Sequence, residues 1–537
     1  MTLKMKLKNI FSTKGVSKII IGLILFTLII VPIIRMLFYI DSKSLSSVFE
    51  SGEFYSNLLN SFTSTLVATI FSIVLAYALA WAISRTNIKF KYIFTILLTL
   101  PMLIPSISHG MGLIILFGNN GFLTRIFGLS SSIYGFWGVI IGSVLYSFPV
   151  AFIMISDMLK YEDQSSYEAA DVLGVPKHKQ FLAITFPYIR KPMISVIFAI
   201  FTMIVTDYGV TLSVGGKFKT LPVMLYEDAV GQLNYSTGSV IGLVLLIPAL
   251  IAFLFDFFNK DKGNASYVSR VYDRNSKTRT IVAYVIVCLC SLFVMTIIFS
   301  FVIQAFAKSY PIDMSFSIKH FENTFSKNGG KFLANSILIS LLTSVVGVII
   351  ASATAYLSAR VKSKFSSFLH LMAIVSLAVP GLVLGLAYVI VFKKTFVYGT
   401  IFILVMVNTV HFFASPYLMI YNAFGKINDN LEEVGHILGI KRSKIIFNVI
   451  IPQSKYTFIE MFSYFFVNSM MTISAVSFLS TSSNKPVSLL INQFETYNMM
   501  ECAAVVALLI LTINIIMKGI VYLIKTIGVK YVDKKTI

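Results

Sequence analysis

Charge is scarce in this sequence: 12% of its 537 residues are Asp, Glu, Lys or Arg, while 57% are hydrophobic. Soluble globular domains carry about 25% charged residues, so a soluble fold is excluded. Cysteine is nearly absent. Cys288, Cys290 and Cys502 lie in or beside apolar runs, which excludes a disulfide framework and any metal-ligand spacing; they read as small buried hydrophobes. No G-x-x-x-x-G-K-[ST] loop is present, since Gly215-Gly216-Lys217-Phe218 lacks both the spacing and the hydroxyl residue. ATP chemistry therefore has no phosphate cradle on this chain. Clustered carboxylates, histidines or a nucleophile within the apolar runs are also missing, which removes the reading as a membrane-embedded enzyme.

What is there instead is a succession of apolar runs of about 20 residues, the length that crosses roughly 30 Å of hydrocarbon as a helix. Twelve can be placed, centred near residues 29, 71, 105, 146, 203, 247, 292, 347, 381, 411, 469 and 513. The fold class is an all-α polytopic membrane protein. Forty-four Lys and Arg against 23 Asp and Glu give a net charge of +21, a balance that in a soluble chain would suggest nucleic acid. With both termini cytoplasmic, the inward segments hold 32 of the 44 basic residues. That asymmetry follows the positive-inside rule, so the charge addresses a bilayer, with no nucleic acid. The outward loops at 308–331 and Lys393-Lys394 are more basic than the rule prefers. The apolar run from Ile19 to about Ile40 is long for a signal-peptide core and ends without a small-residue cleavage site; it reads as a retained first span.

The chain repeats itself. "NSFTSTLVATIFSIVLAYALAWAISR" (60–85) aligns without gaps on "NSILISLLTSVVGVIIASATAYLSAR" (335–360), an offset of 275 that also places Pro105 on Pro380. After a longer outward loop near 118–133 the offset becomes 265, and Glu168 falls on Glu433, Gly174 on Gly439 and Pro187 on Pro452. Six spans separate each residue from its copy, so the halves are parallel repeats. The expected organisation is a first half over 1–258, a polar cytoplasmic linker over 259–279 and a second half over 280–537.

Each half carries one polar hairpin, at 165–187 and 430–452. Ser165-Ser166-Tyr167-Glu168 has the pattern of a capping box, Gly174 supplies a left-handed stop and Pro176 suits the start of a second helix. Asn430-Leu431-Glu432-Glu433 and Gly439 repeat the plan. Glu168-Ala169-Ala170, three residues, Gly174, nine residues, Ile184, then Phe186-Pro187 resembles the "EAA loop" of binding-protein-dependent ABC importer permeases. The second copy keeps Glu433, Gly439 and Pro452 but has Val434-Gly435 in place of two alanines.

The resemblance covers nearly the whole chain and implies two six-helix halves of the type I importer fold fused in one polypeptide. It further implies that Glu168, Ala169, Ala170, Gly174, Pro187, Glu433, Gly439 and Pro452 form coupling helices docking on two ATPase subunits, which bind ATP-Mg in place of any cofactor on this chain. An extracytoplasmic solute-binding protein and a bacterial inner or plasma membrane location are implied too. Along the transport path, Asp207 in the fifth span is the ionisable candidate, and Pro105 and Pro380 are expected to kink the third and ninth spans. Arg35 and Glu460 are close enough to span ends to snorkel. His109 and His411 read as packing residues, and Gly138 with Gly142 as a helix contact. "NSMMTISAVSFLS" (468–480) resembles permeases for ferric iron and for 2-aminoethylphosphonate; thiamine, polyamine or another small solute is the alternative. An ion-coupled secondary transporter is the rival of a different class.

Overall fold

The computed structural model describes residues 13–128, 132–160, 162–258, 276–361, 363–428 and 430–533. Most of the expected linker, residues 259–275, lies outside them. Among the described residues the fold is helical except for one antiparallel pair, Ala307–Ser309 with Asp313–Phe316.

Among the described residues eight helices are long and apolar enough to cross a membrane, and eleven spans result if three bent pairs each count as one. The helix at the remaining expected position, the eleventh, is Lys455–Met471, of 17 residues. Two of the bent pairs contain the expected kinks, and the bends are far sharper than a kink: Lys91–Leu103 meets Ser106–Phe127 at 103°, and Phe365–Ala378 meets Gly381–Phe392 at 106°. Proline explains the break, because Pro105 and Pro380 cannot donate to the preceding turn and each stands immediately before a new helix. The third pair, Ile401–His411 with Ala414–Gly425, bends by 55°.

The second span of each half is the axis of its packing. Gly52–Arg85 lies against Phe136–Lys160, and Gly329–Ala359 against Lys455–Met471 and Ala414–Gly425. Small residues recur on the contact face at the repeat offset: Ser72, Ala76 and Ala80 in one helix, Gly347, Ala351 and Ala355 in the other. With lipid as apolar as a leucine side chain, such faces associate by close backbone approach and buried hydrogen bonds. Ser72 and Ser147 share one of these, 2.7 Å long. Gly138 and Gly142 serve the same end, facing Val214 and Val210 on the short helix Gly209–Val214.

The halves interlock. The first span of each packs on the post-proline helix of the other: Val31–Leu37 on Gly381–Phe392, and Lys277–Phe306 on Ser106–Phe117. Tyr388 donates to the Leu28 carbonyl at 2.8 Å, Lys18 to the Val361 carbonyl at 2.7 Å, and the Lys89 amide to the Tyr284 hydroxyl at 2.7 Å. The two repeats in sequence are thus not two separable bodies in space.

Candidate functional site: two hairpins and a cavity between the halves

Both hairpins fold as short helices stopped by glycine. Ser165–Val172 ends before Gly174 and Leu431–Ile437 before Gly439, and both glycines have φ of 69°. Nothing lies within 4 Å of a Cβ built at either glycine. The left-handed backbone, and not lack of space, is what calls for glycine there. The amides of Val175 and Ile440 close each stop onto the carbonyls of Ala170 and Gly435 at 2.9 and 2.8 Å.

The capping box does not form. Ser165 lies inside the helix, Gln164 holds the cap position without a side-chain cap bond, and Glu168 accepts instead from the Gln164 side chain at 3.0 Å. Nor does Asn430 cap with its side chain. In both copies the start is set one step earlier by an Asx turn: the Ser165 amide donates to Asp163 at 3.1 Å and the Asn430 amide to Asn428 at 2.9 Å. Glu162, just before this turn in the first hairpin, is buried against Arg85, so the ion pair fixes where the chain turns. Pro187 and Pro452 follow the π-helical turns Phe181–Thr185 and Ile446–Ile450, wide turns that accommodate a residue without an N–H.

At the tips, Val172 and Leu173 are 89% and 79% exposed, and their copies Ile437 and Leu438 are 83% and 67% exposed. Paired apolar residues held in the open at matching positions are the mark of a docking surface. The EAA pattern does not contain them, although the 265-residue offset aligns them. Ala170 is buried while Ala169 and Glu433 face outward. Gly435, aligned with Ala170, is packed by Ile445, whose Cδ1 is 2.2 Å from where a Cβ would be. In the first hairpin the aligned position is Gln180, which donates to Asp171 at 2.6 Å and to the Val175 carbonyl at 2.9 Å. The loss of alanine in the second copy is therefore matched by a larger apolar neighbour.

Behind the hairpins each repeat arginine is buried and paired. Arg85 pairs with Glu162, which also accepts from the Tyr167 hydroxyl at 2.5 Å. Arg360 pairs with Glu432 and donates to the carbonyls of Ile427 at 2.6 Å and Asn428 at 2.7 Å. Glu432 aligns with Tyr167, not with Glu162, so the two halves hold the same arginine with carboxylates from different positions.

Between the halves lies a cavity of about 120 Å³. Pro105, Ser106 and Asp207 contribute from the first half, and Gly381, His411 and Thr472 from the second. Asp207 is not within the fifth span: the helix Phe186–Val205 has ended, and Asp207 stands in the break before Gly209–Val214, accepting from the Val210 amide at 3.0 Å. Its aligned residue is Thr472, in the equivalent break after Met471. The carboxylate is thus unpaired by symmetry, and Asp207 is the cavity wall's one carboxylate among the described residues. The segment 468–480 is α-helical to Met471, breaks, and resumes as a short 3-10 helix over Ala475–Phe478; Asn468, Met471 and Ser474 continue the wall. Pro380 itself is not in the lining. His109 does not reach the cavity, packing on Tyr146 with ring centroids 5.7 Å apart, whereas the His411 Nδ1 is buried without a hydrogen-bond partner. Arg35 is exposed and Glu460 pairs with Lys525. Among the described residues no group of three metal-binding side chains exists.

Restoring the alanine at the second hairpin tests the packing account. Gly435→Ala should lower stability by about 1 kcal/mol through overpacking against Ile445, seen as a fall in melting temperature of the purified protein. Adding Ile445→Val should recover most of it.

The chain matches the family described as "binding-protein-dependent transport system inner membrane component" twice, over residues 72–261 and 344–526. It is 24% identical over 421 residues to the ferric transport system permease protein FbpB of Actinobacillus pleuropneumoniae, covering 73% of this chain and 60% of that protein. It is 23% identical over 402 residues to the Fe(3+)-transport system permease protein FbpB 2 of Haemophilus influenzae, covering 74% of this chain and 76% of that protein. The thiamine transport system permease protein ThiP of Brucella abortus is 25% identical over 139 residues, a quarter of either chain. The chain thus spans less than two thirds of the length of the first of these relatives. With two matched segments that together take in well over half of the sequence, one in each repeat, the chain belongs to the inner-membrane components of binding-protein-dependent transport systems.

Proposed function

We propose that this protein is the membrane-spanning subunit of an ATP-driven importer, and that its two hairpins each dock one ATPase subunit on the cytoplasmic face. The observation that carries this reading is the pair of hairpin tips. At matching positions, each presents two exposed apolar side chains beside a left-handed glycine. Burying a side chain of that size against a partner contributes about 1.5–3 kcal/mol, enough for four of them to anchor two subunits. Hydrolysis of ATP-Mg takes place on those subunits, this chain having no phosphate-binding loop. Closure of the ATPase pair draws the hairpins together and opens the cavity outward toward a solute-binding protein, and hydrolysis resets it. Both termini are then cytoplasmic, in a bacterial inner or plasma membrane.

For the solute, a cavity whose wall, among the described residues, carries a single carboxylate and no Lys or Arg suits a cation or an amine and repels a simple anion. Ferric iron is the favoured cargo, in keeping with the names of the relatives. 2-Aminoethylphosphonate, with its ammonium group, is the next, ahead of thiamine or a polyamine.

Reconstitution with the ATPase subunits and the solute-binding protein tests both statements. Gly174→Val with Gly439→Val forces a branched residue into a left-handed conformation at about 1–2 kcal/mol per site. That pair should lower solute-stimulated ATP hydrolysis and uptake together. Leu173→Asp with Leu438→Asp should weaken co-purification of the ATPase. Normal docking and uptake in these variants, or uptake that collapses with the proton or sodium gradient while ATP persists, would instead favour an ion-coupled transporter. Asp207→Asn should reduce iron uptake at unchanged docking of the ATPase; an unaltered rate removes Asp207 from the path.

A further inference from the structure

The strings that open and close the aligned second spans, Asn-Ser at the outer end and Arg at the inner end, are both explained by what they hold. At the outer end of Gly52–Arg85, the Asn60 side chain donates to the Lys219 carbonyl at 3.0 Å, and the Ser61 hydroxyl accepts from the Leu221 amide at 2.7 Å. In the second half Asn335 donates to the carbonyls of Ser483 and Lys485 at 3.1 and 3.4 Å, and Ser336 accepts from the Val487 amide at 2.7 Å. Each pair therefore grips the outer loop of its own half by the backbone, just where a short helix begins.

Those gripped segments lead into the cavity. Leu221 starts the helix Leu221–Tyr226, and Tyr226 stacks on Tyr208 with ring centroids 4.9 Å apart. Tyr208 lines the cavity beside Asp207 and donates across the halves to the Ile473 carbonyl at 3.0 Å. Next to Val487, the Ser488 hydroxyl donates to the carbonyl of Thr472, on the opposite wall, at 2.6 Å. Asn492, on the helix that follows, donates to the Tyr226 hydroxyl at 3.2 Å.

At the inner ends, the same two helices are tied to the hairpins by Arg85–Glu162 and Arg360–Glu432, pairs that are nearly inaccessible to solvent. Tyr167 extends the first tie to the returning arm through Thr185, 2.5 Å away. In the second half Arg442, on the returning arm, stacks on Tyr356 at 5.3 Å and donates to its hydroxyl at 2.5 Å. From Ser61 to Arg85 is 24 residues of continuous helix, about 36 Å at 1.5 Å per residue, the full thickness of the hydrocarbon.

We propose that these two helices are struts that transmit hairpin movement to the cavity, with Arg85 and Arg360 as positioning residues at the inner ends and Asn60-Ser61 and Asn335-Ser336 at the outer ends. A long helix with small residues packed along it moves as a rigid rod, so displacing a hairpin displaces the outer loop held at the other end. The divergence of the acidic partners fits this role. What both halves keep is the joint between strut and hairpin, while the carboxylate that completes the joint has moved from position 162 to the position aligned with Tyr167. The inference rests on the hairpins being the ATPase contacts, and its test separates the two.

In the reconstituted complex, solute taken up per ATP hydrolysed is measured together with hydrogen exchange over 215–221 and 483–488, with and without ATP. Arg85→Met with Arg360→Met should leave the ATPase subunits bound while uptake per ATP falls about fivefold or more, and the ATP-dependent change in exchange at both outer segments should disappear. The charge swap Arg85→Glu with Glu162→Arg, made alongside Arg360→Glu with Glu432→Arg, should restore much of the ratio. Should the methionine pair fail to fold, Ser61→Ala with Ser336→Ala carries the test, since it leaves the hairpins untouched and loosens only the outer grip. A normal uptake-to-ATP ratio and a normal exchange response in either pair overturn the strut. Failure of the unaltered protein to bind its ATPase at all would overturn the docking reading instead.

Discussion

In the hydrocarbon of a membrane, a backbone N–H or C=O without a partner costs several kcal/mol, so chain that is not helical is tolerated only where protein or a cavity surrounds it. This constraint organises the molecule. The breaks at Ile104–Pro105, at Thr206–Tyr208, at Phe412 and at Thr472–Ser474 all line the same cavity between the halves. Polar backbone and the one wall carboxylate among the described residues are thereby gathered where protein and cavity surround them. The long unbroken helices, by contrast, carry the faces that meet lipid and the faces of small residues that meet each other.

Interlocking follows from the same requirement. A helix that starts after a right-angle bend, such as Ser106–Phe117 or Gly381–Phe392, is buried almost all round, and its own half cannot cover it. The first span of the opposite half supplies the missing side. Two copies of one sequence plan thus become a single body, and the cavity on their shared axis belongs to neither. Divergence between the copies is then free to concentrate on that axis and at the hairpins. Asp207 aligns with Thr472, Ala170 is matched by Gly435 with Ile445, and Glu162 gives way to Glu432. In the last two cases the geometry of the fold is kept by a neighbour that changed in compensation.

Much of this was legible in the residues. The apolar runs, the basic asymmetry and the 275- and 265-residue offsets lead directly to a parallel-repeat membrane protein, because burial and periodicity are local properties that a linear sequence displays. The glycine stops at 174 and 439 were equally plain, since a left-handed turn after a short capped segment has few other solutions. Ser165 and Glu168 satisfy the local pattern of a capping box without forming one. The burial of Glu162 against Arg85, 77 residues away, decides where the helix starts. Pro105 and Pro380 announced a disturbance but not its size, as a proline permits both a shallow kink and a full break. Asp207 looked like part of a span because hydropathy averages over the residues where the helix stops.

The sequence by itself determined the class of the molecule, its twofold plan and the two hairpins, because those depend on composition, spacing and turn chemistry. Only the tertiary structure decided which side chains act together. That Asn60-Ser61 and Arg85 hold opposite ends of one helix, that Tyr226 leans on Tyr208, and that Asp207 has no charged twin across the cavity are facts of long-range packing. They depend on contacts between residues far apart in the chain, where no local pattern reaches, and they are fixed only when the two halves close on each other.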